Sequence, residues 1–205
     1  MRTVRRLHRG GAVLVGVFVL AHMANHLAAL GGIAAHLRFM EAARVVYRQP
    51  PVETLLLLAV AAQAASGLRL LAQGWKRNRG WMARLQATSG AYLALFLLIH
   101  VSAVLFGRAA LDLDTNVHFA AAGLQVWPYQ VFFVPYYFLA VLALFTHLGC
   151  ALARRMGQAA LALPVGAGVL ASGVILAALM GMLLPYEVPQ EYKQTYGAQA
   201  ASPRP

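Results

Sequence analysis

Two imidazoles stand inside an apolar run. Val17–Leu30 reads as a membrane-spanning stretch, and His22 and His26 interrupt it four residues apart. On a helix that spacing puts both rings on one face. An ionisable group in hydrocarbon is costly, so its presence there points to a job. His100 and His147 also lie within apolar runs. His22 and His100 each stand about two turns before the C-terminal end of their run. If both runs cross in the same direction, the two imidazoles reach one depth. That is what axial ligation of a haem iron requires, one nitrogen from each face of the macrocycle. His26 could ligate in place of His22, or hydrogen-bond a propionate or a quinone. His147, near the opposite end of its run, fits either a ligand or an interhelical hydrogen bond. Binding of a bare metal ion is the weaker chemistry, because no span buries a carboxylate to join the histidines. His8, His36 and His118 fall at or beyond the ends of the runs, where solvated surface roles are expected.

The elements that must position these rings are legible from composition. Of 205 residues, 60% are hydrophobic and only 11% charged, with a mean hydropathy of +0.64. This excludes an ordinary soluble domain and predicts an integral membrane protein. Five apolar segments follow, at about 11–30, 52–71, 89–106, 129–153 and 163–184, each near the roughly 20 residues a helix needs to cross hydrocarbon. The expected fold is all-α, a single bundle of five transmembrane helices, because a lipid-exposed segment must satisfy its own backbone. None of the runs alternates as a barrel strand would. The basic start, Met1 to Arg9, resembles a signal peptide's n-region, but no small-residue cleavage site appears before His36, so a retained span is expected. No internal repeat or second domain is evident.

The connections are short. Gln49-Pro50-Pro51 stops any helix before the second span, and Ala34–Val46 reads as an interfacial helix. Gly107–Pro128 is expected as a loop, and the tail 186–205 as polar and partly disordered. The net charge of +11 is read as topology rather than nucleic-acid binding, since the basic residues flank spans and form no aromatic-interleaved patch. With the N-terminus inside, ten Lys and Arg fall inside (Arg2, Arg5, Arg6, Arg9, Lys76, Arg77, Arg79, Arg84, Arg154, Arg155) and six outside (Arg38, Arg44, Arg48, Arg108, Lys193, Arg204). The expected orientation is N-terminus inside, C-terminus outside, in a bacterial-type cytoplasmic membrane. Arg69 snorkels near the inner end of the second span. Tyr129, Phe132, Phe133, Tyr136 and Tyr137, with Trp127, form either an interfacial aromatic belt or the wall of a quinone-head pocket. Cys150 is the lone cysteine, so an internal disulfide, a cysteine-ligated iron–sulfur cluster and c-type haem attachment are all excluded.

Several short motifs together carry a resemblance. They are Arg6-Leu7-His8, Val15-Gly16-Val17-Phe18-Val19-Leu20-Ala21-His22, Phe39-Met40-Glu41, Leu85-Gln86-Ala87-Thr88-Ser89-Gly90, Leu97-Leu98-Ile99-His100-Val101 and Phe145-Thr146-His147-Leu148. The chain resembles, over about residues 5–184, the five-helix di-haem cytochrome b anchor of succinate:quinone and fumarate:quinone oxidoreductases. In that family the first and third spans clasp the outer haem, and the second and fourth clasp the inner one. The resemblance implies His22 and His100 as ligands of an outer haem b and His147 as one ligand of an inner haem. The remaining inner position falls on Gln63, whose amide is a poor ligand for haem iron. One haem is therefore expected and two are conceivable, with His8 and His147 as a replacement pair. The implied function is electron transfer between a quinone pool and a redox partner. Flavoprotein and iron–sulfur subunits would be separate chains, since no dinucleotide-binding glycine fingerprint occurs here. Arg84, Gln86 and Ser89, near the inner interface, would bind a quinone head or a propionate, or merely cap the third span. The alternative is a haem-free membrane scaffold or assembly protein of the same fold. An ion or solute carrier is disfavoured, because buried carboxylates and broken helix pairs are missing.

Overall fold

A computed structural model describes residues 2–74 and 80–197. Lys76, Arg77, Arg79 and Arg204, which enter the charge count, lie outside the described residues. Eight α-helices are present and no strand occurs among the described residues: α1 (Arg2–Ala28), α2 (Ile33–Tyr47), α3 (Pro50–Gly74), α4 (Trp81–Ala109), α5 (Val117–Gln125), α6 (Gln130–Met156), α7 (Ala162–Leu179) and α8 (Gln190–Gln194). Five segments are long and apolar enough to cross a membrane: Arg2–Gly31, Pro50–Gly74, Trp81–Ala109, Gln130–Met156 and Gln158–Leu179. The protein is a multi-pass membrane protein by that measure. Leu20, Leu58, Leu98, Leu163 and Leu170 are all exposed. So much apolar surface is a liability in water and fits a hydrocarbon surround.

Helix limits follow local chemistry. The proline pair opens α3 because the first turn needs no N–H partner. Asn116 Oδ1 accepts from the His118 backbone N–H at 2.8 Å and caps α5. Gly157 ends α6 with φ +95°, a left-handed value that favours glycine. The expected interfacial helix is α2. The third span begins earlier than hydropathy suggests, at Trp81, because the polar turn Arg84–Thr88 continues the same helix. The fifth ends earlier, at Leu179, and residues 180–184 turn back over the bundle.

One expectation needs correction. Gly107–Pro128 is not simply a loop: it contains α5, whose Val117, Ala121, Ala122 and Leu124 are completely buried. Of the tail, residues 186–197 are described and include α8; residues 198–205 lie outside the described residues. Val188 and Tyr192 bury against Ala121 and Ala122 of α5. The Tyr192 hydroxyl donates to Asp114 O and accepts from Asn116 Nδ2, each at 3.0 Å. Burial of a few apolar side chains outweighs the polar composition of the segment.

The spans form a ring. α1 packs on α3, α3 on α4, α4 on α6 and α6 on α7, while α7 returns to α1 and its 3₁₀ end. Across the ring, α1 packs on neither α4 nor α6, and α3 does not pack on α6. Close approach at the α6–α7 seam depends on glycine: a Cβ at Gly149 would meet Pro164 Cβ at 2.9 Å, and one at Gly168 would meet Phe145 Cβ at 2.8 Å. The α6–α7 seam is thus tight, while the diagonal pairs of spans do not touch.

Candidate functional site

The histidines sort into two groups at opposite ends of this ring. One lies toward Gly31, the other toward Arg2. At the Gly31 end, α1 contributes His22 and His26 and α4 contributes His100. The ring centroids of His22 and His100 are 6.1 Å apart. Each is backed by a phenylalanine four residues earlier on its own helix, one turn away. Phe18 stacks on His22 at 5.7 Å and 14°, and Phe96 on His100 at 5.1 Å and 13°. Stacking fixes the ring planes, which leaves the imidazole nitrogens as the groups free to react.

Two imidazoles from separate helices could hold a metal that brings its remaining ligands with it. Metal–imidazole bonds of about 2.0 Å would put two such ring centroids about 6 Å apart. The His22–His100 separation is of that size, and it bridges α1 and α4, which do not pack on one another. His26 has a different position. Its Nε2 is 3.2 Å from His22 Nε2, so one of these nitrogens donates and the other accepts. Iron at His22 Nε2 would replace that bond. His26 is thus a hydrogen-bonding neighbour of His22.

The surface assignment of His36 is overturned, and His118 is half-buried. His36, on α2, is 2% exposed, and its ring lies 5.5 Å from that of His26. Both its nitrogens are buried with no hydrogen-bond partner among the described residues, as are His26 Nδ1, His118 Nδ1 and Asn25 Oδ1. Burial, reinforced by neighbouring His22, His118 and Arg44, pushes the His36 pKa down to about 4. His118 opens α5 and rests on Tyr186 and Tyr192, with ring centroids at 6.0 and 5.8 Å; burial lowers its pKa too. Helices α2 and α5 fold inward over the end of the ring, which hydropathy of the spans alone does not reveal. The periodic signal was available: His36 and Met40 are four apart and both buried on α2.

At the Arg2 end, His147 of α6 and Ser89 of α4 meet. His147 Nδ1 lies 3.1 Å from Gln86 O and 3.4 Å from Ser89 Oγ. Gln63 does not meet His147. It faces α1, with its Nε2 3.4 Å from His8 Nε2, because α3 and α6 stand on opposite sides of the ring. His8 is therefore no surface residue, and its Nδ1 lies 3.0 Å from Ser66 Oγ. Arg84 does not join Ser89. It lies on another face of α4, in a surface cleft with Gly80, Trp81, Leu85 and Thr88, so the two cannot hold one small head group together. Among the described residues, no three His, Cys, Asp or Glu side chains are arranged around a common metal position.

The aromatic group divides. Tyr137 and Phe133 join the buried cluster of Leu124, Ile175 and Leu179, while Trp127 and Phe132 stay exposed. Tyr136 donates to Phe96 O and accepts at its own carbonyl from Tyr92, which ties α6 to α4 directly behind His100. Comparison with family models, with curated proteins and with solved structures finds no match for this chain.

Proposed function

We propose that this protein is a membrane cytochrome b that holds a haem b between His22 and His100 and passes electrons between a quinone pool and a redox partner. The observation that carries the reading is the 6.1 Å approach of these two rings from helices that do not pack on one another. When bound, the haem supplies the one-electron chemistry. The chain's residues do the rest. His22 and His100 present neutral nitrogens at one depth, and Phe18 and Phe96 hold their planes. The apolar spans keep water out, and His26 Nε2 lies within hydrogen-bond distance of His22 Nε2. By resemblance the partners are lipid, a quinone, and separate flavoprotein and iron–sulfur subunits. The Arg2 end faces the cytoplasm of a bacterial-type inner membrane and the Gly31 end faces outward.

The test is spectroscopic. Detergent-purified protein, expressed with ample haem supply, should show a reduced-minus-oxidised b-type α-band. Haem per chain should fall by one in His22→Ala and in His100→Ala. A second reading, a haem-free scaffold, is favoured by one fact: the His22–His26 bond satisfies both Nε2 atoms without metal. A wild-type protein with no haem under these conditions would establish the scaffold and sink the cytochrome.

A further inference from the structure

The charges of this chain are segregated. All six acidic side chains (Glu41, Glu53, Asp112, Asp114, Glu187 and Glu191) fall at the Gly31 end or in the tail that packs on α5 there. At that end Arg44 pairs with Asp114 and Arg108 with Glu53. The Arg2 end is different. Arg5, Arg6 and Arg9 of α1, Arg84 of α4 and Arg154 of α6 are all exposed. No Asp or Glu in the sequence lies at that end to neutralise them. Like charges gathered without counter-charge repel one another and attract an anion from outside the chain.

One of these arginines stands in a cleft that offers more than charge. Gly80, Trp81, Arg84, Leu85 and Thr88 line it, and the last four share one face of α4 by their spacing. Leu85 also packs on Cys150, Ala153 and Leu161, so α6 borders the cleft. Helices α4 and α6 are antiparallel: His147 Nδ1 lies 3.1 Å from Gln86 O, while Tyr136, earlier on α6, reaches Phe96 O. Arg154, two turns beyond His147, is therefore about 10 Å further along α6, level with the start of α4. In the other direction the cleft's face continues through Leu95 and Ile99, both exposed. Arg84 thus heads an apolar track that runs along α4 toward the middle of the bilayer. The 29 residues of α4 span about 43 Å, more than the roughly 30 Å of hydrocarbon, so its first turns reach the headgroup layer.

We infer that this cleft binds an anionic phospholipid, with the headgroup phosphate on the Arg84 guanidinium and an acyl chain along Leu85, Leu95 and Ile99. A guanidinium gives a phosphate charge-assisted hydrogen bonds in a matching fork. The exposed Trp81 carries the amphipathic ring that suits the headgroup boundary. A soluble anion would use the arginine and leave the track bare. An acidic protein would meet the arginines and not a groove that descends into lipid. Arg154 and the α1 arginines favour a lipid of net negative charge over a zwitterionic one. The site is independent of haem uptake.

The experiment reads lipid at Trp81 by fluorescence. In the full-length protein, purified in detergent, Trp75→Phe and Trp127→Phe leave Trp81 as the single tryptophan. Phosphatidylglycerol and phosphatidylcholine with the same brominated chains, which quench a neighbouring indole, are titrated in turn. Phosphatidylglycerol should reach half-quenching at a concentration lower by about fivefold or more, the effect of one arginine at the headgroup. Arg84→Gln should remove about fivefold of that preference and Arg154→Gln a smaller part. Arg84→Lys, which keeps the charge, should retain most of it, and Arg38→Gln at the Gly31 end should leave it unchanged. Quenching by phosphatidylcholine retained in Arg84→Gln separates lost recognition from misfolding. Equal quenching by the two lipids would overturn the inference and leave the cationic end to an acidic protein surface. A preference that survives Arg84→Gln would overturn it as well. Displacement of the lipid by an equal concentration of glycerol phosphate would assign the cleft to a soluble anion and also overturn it.

Discussion

Gly90 offers the sharpest mechanical test of how closely His147 packs against α4. A methyl group there would lie 2.8 Å from His147 Cε1 and 3.1 Å from its Nδ1, inside van der Waals contact. Gly90→Ala gains about 1 kcal/mol of helix propensity. Against this, overpacking a close seam costs about 1–3 kcal/mol. Moving the ring also loosens the bond to Gln86 O, worth about 1 kcal/mol or less in a membrane. The net expectation is a loss of about 1–2 kcal/mol. Gly173→Ala on α7, where a Cβ meets nothing within 4 Å, should instead be neutral or stabilising. In a His147→Ala background the clash disappears, so Gly90→Ala should become stabilising, with a coupling of about 1–3 kcal/mol between the two sites. Denaturation of the purified chain in mixed detergents, followed by circular dichroism, measures all four variants. If Gly90→Ala behaves like Gly173→Ala, or costs the same with His147 absent, the packing argument fails.

Further predictions concern the Gly31 end. His36, with its pKa pushed down to about 4 by burial, binds a proton more readily unfolded than folded. Stability should therefore rise with pH between about 4 and 6.5, by roughly 1–3 kcal/mol from this group; His36→Gln should flatten that slope in a pH series of thermal melts. Arg44 pairs with Asp114 at 2.7 and 3.0 Å. Partial burial pushes that carboxyl up, but hydrogen bonds from Arg44 and Asn116 and the guanidinium charge outweigh it and hold the group below its ordinary value. The pair's stabilisation is present above the unfolded carboxylate pKa and lost as pH falls through the lower folded one. Asp114→Asn should cost no more than about 1 kcal/mol near neutrality, because both groups are partly exposed, and nothing in strong acid; melts at the two pH values decide it. Tyr192→Phe removes both hydrogen bonds of a hydroxyl on a buried side chain, at about 1–2 kcal/mol. Limited proteolysis should then cut earlier within 186–197 than in the wild type, and equal rates would show that apolar burial alone docks α8.

Much of the architecture was readable in one dimension. Hydropathy over windows the length of a bilayer located all five spans, since each must satisfy its backbone internally and face lipid on its own. The proline pair before α3 and the helix in the first connection were readable for equally local reasons. The depth argument for His22 and His100 also needs only residue counts and alternating direction, and the rings do meet. What failed was anything set by rotation about a helix axis or by chain packing over the bundle's end. Gln63 and His147 share a level, but the ring order turns Gln63 toward His8. Arg84 and Ser89 are near in sequence yet on different faces. His36 and His118 sit outside the spans, and only α2 and α5 folding inward buries the first and half-buries the second.

The opening pair illustrates the division. Their cost in hydrocarbon, their shared face and their depth all follow from the residues between Val17 and Leu30. The difference between them does not. His22 turns to His100, whereas His26 turns to His36 and bonds back to His22. The pattern Gln-Ala-x-Ser-Gly, at 63–67 and 86–90, was equally visible as text, but nothing in text says that one copy meets His8 and the other His147. That depends on which ring lies against each glycine, and a helix's partners are set by the whole ring of spans, whose apolar surfaces are too alike in sequence to specify their neighbours.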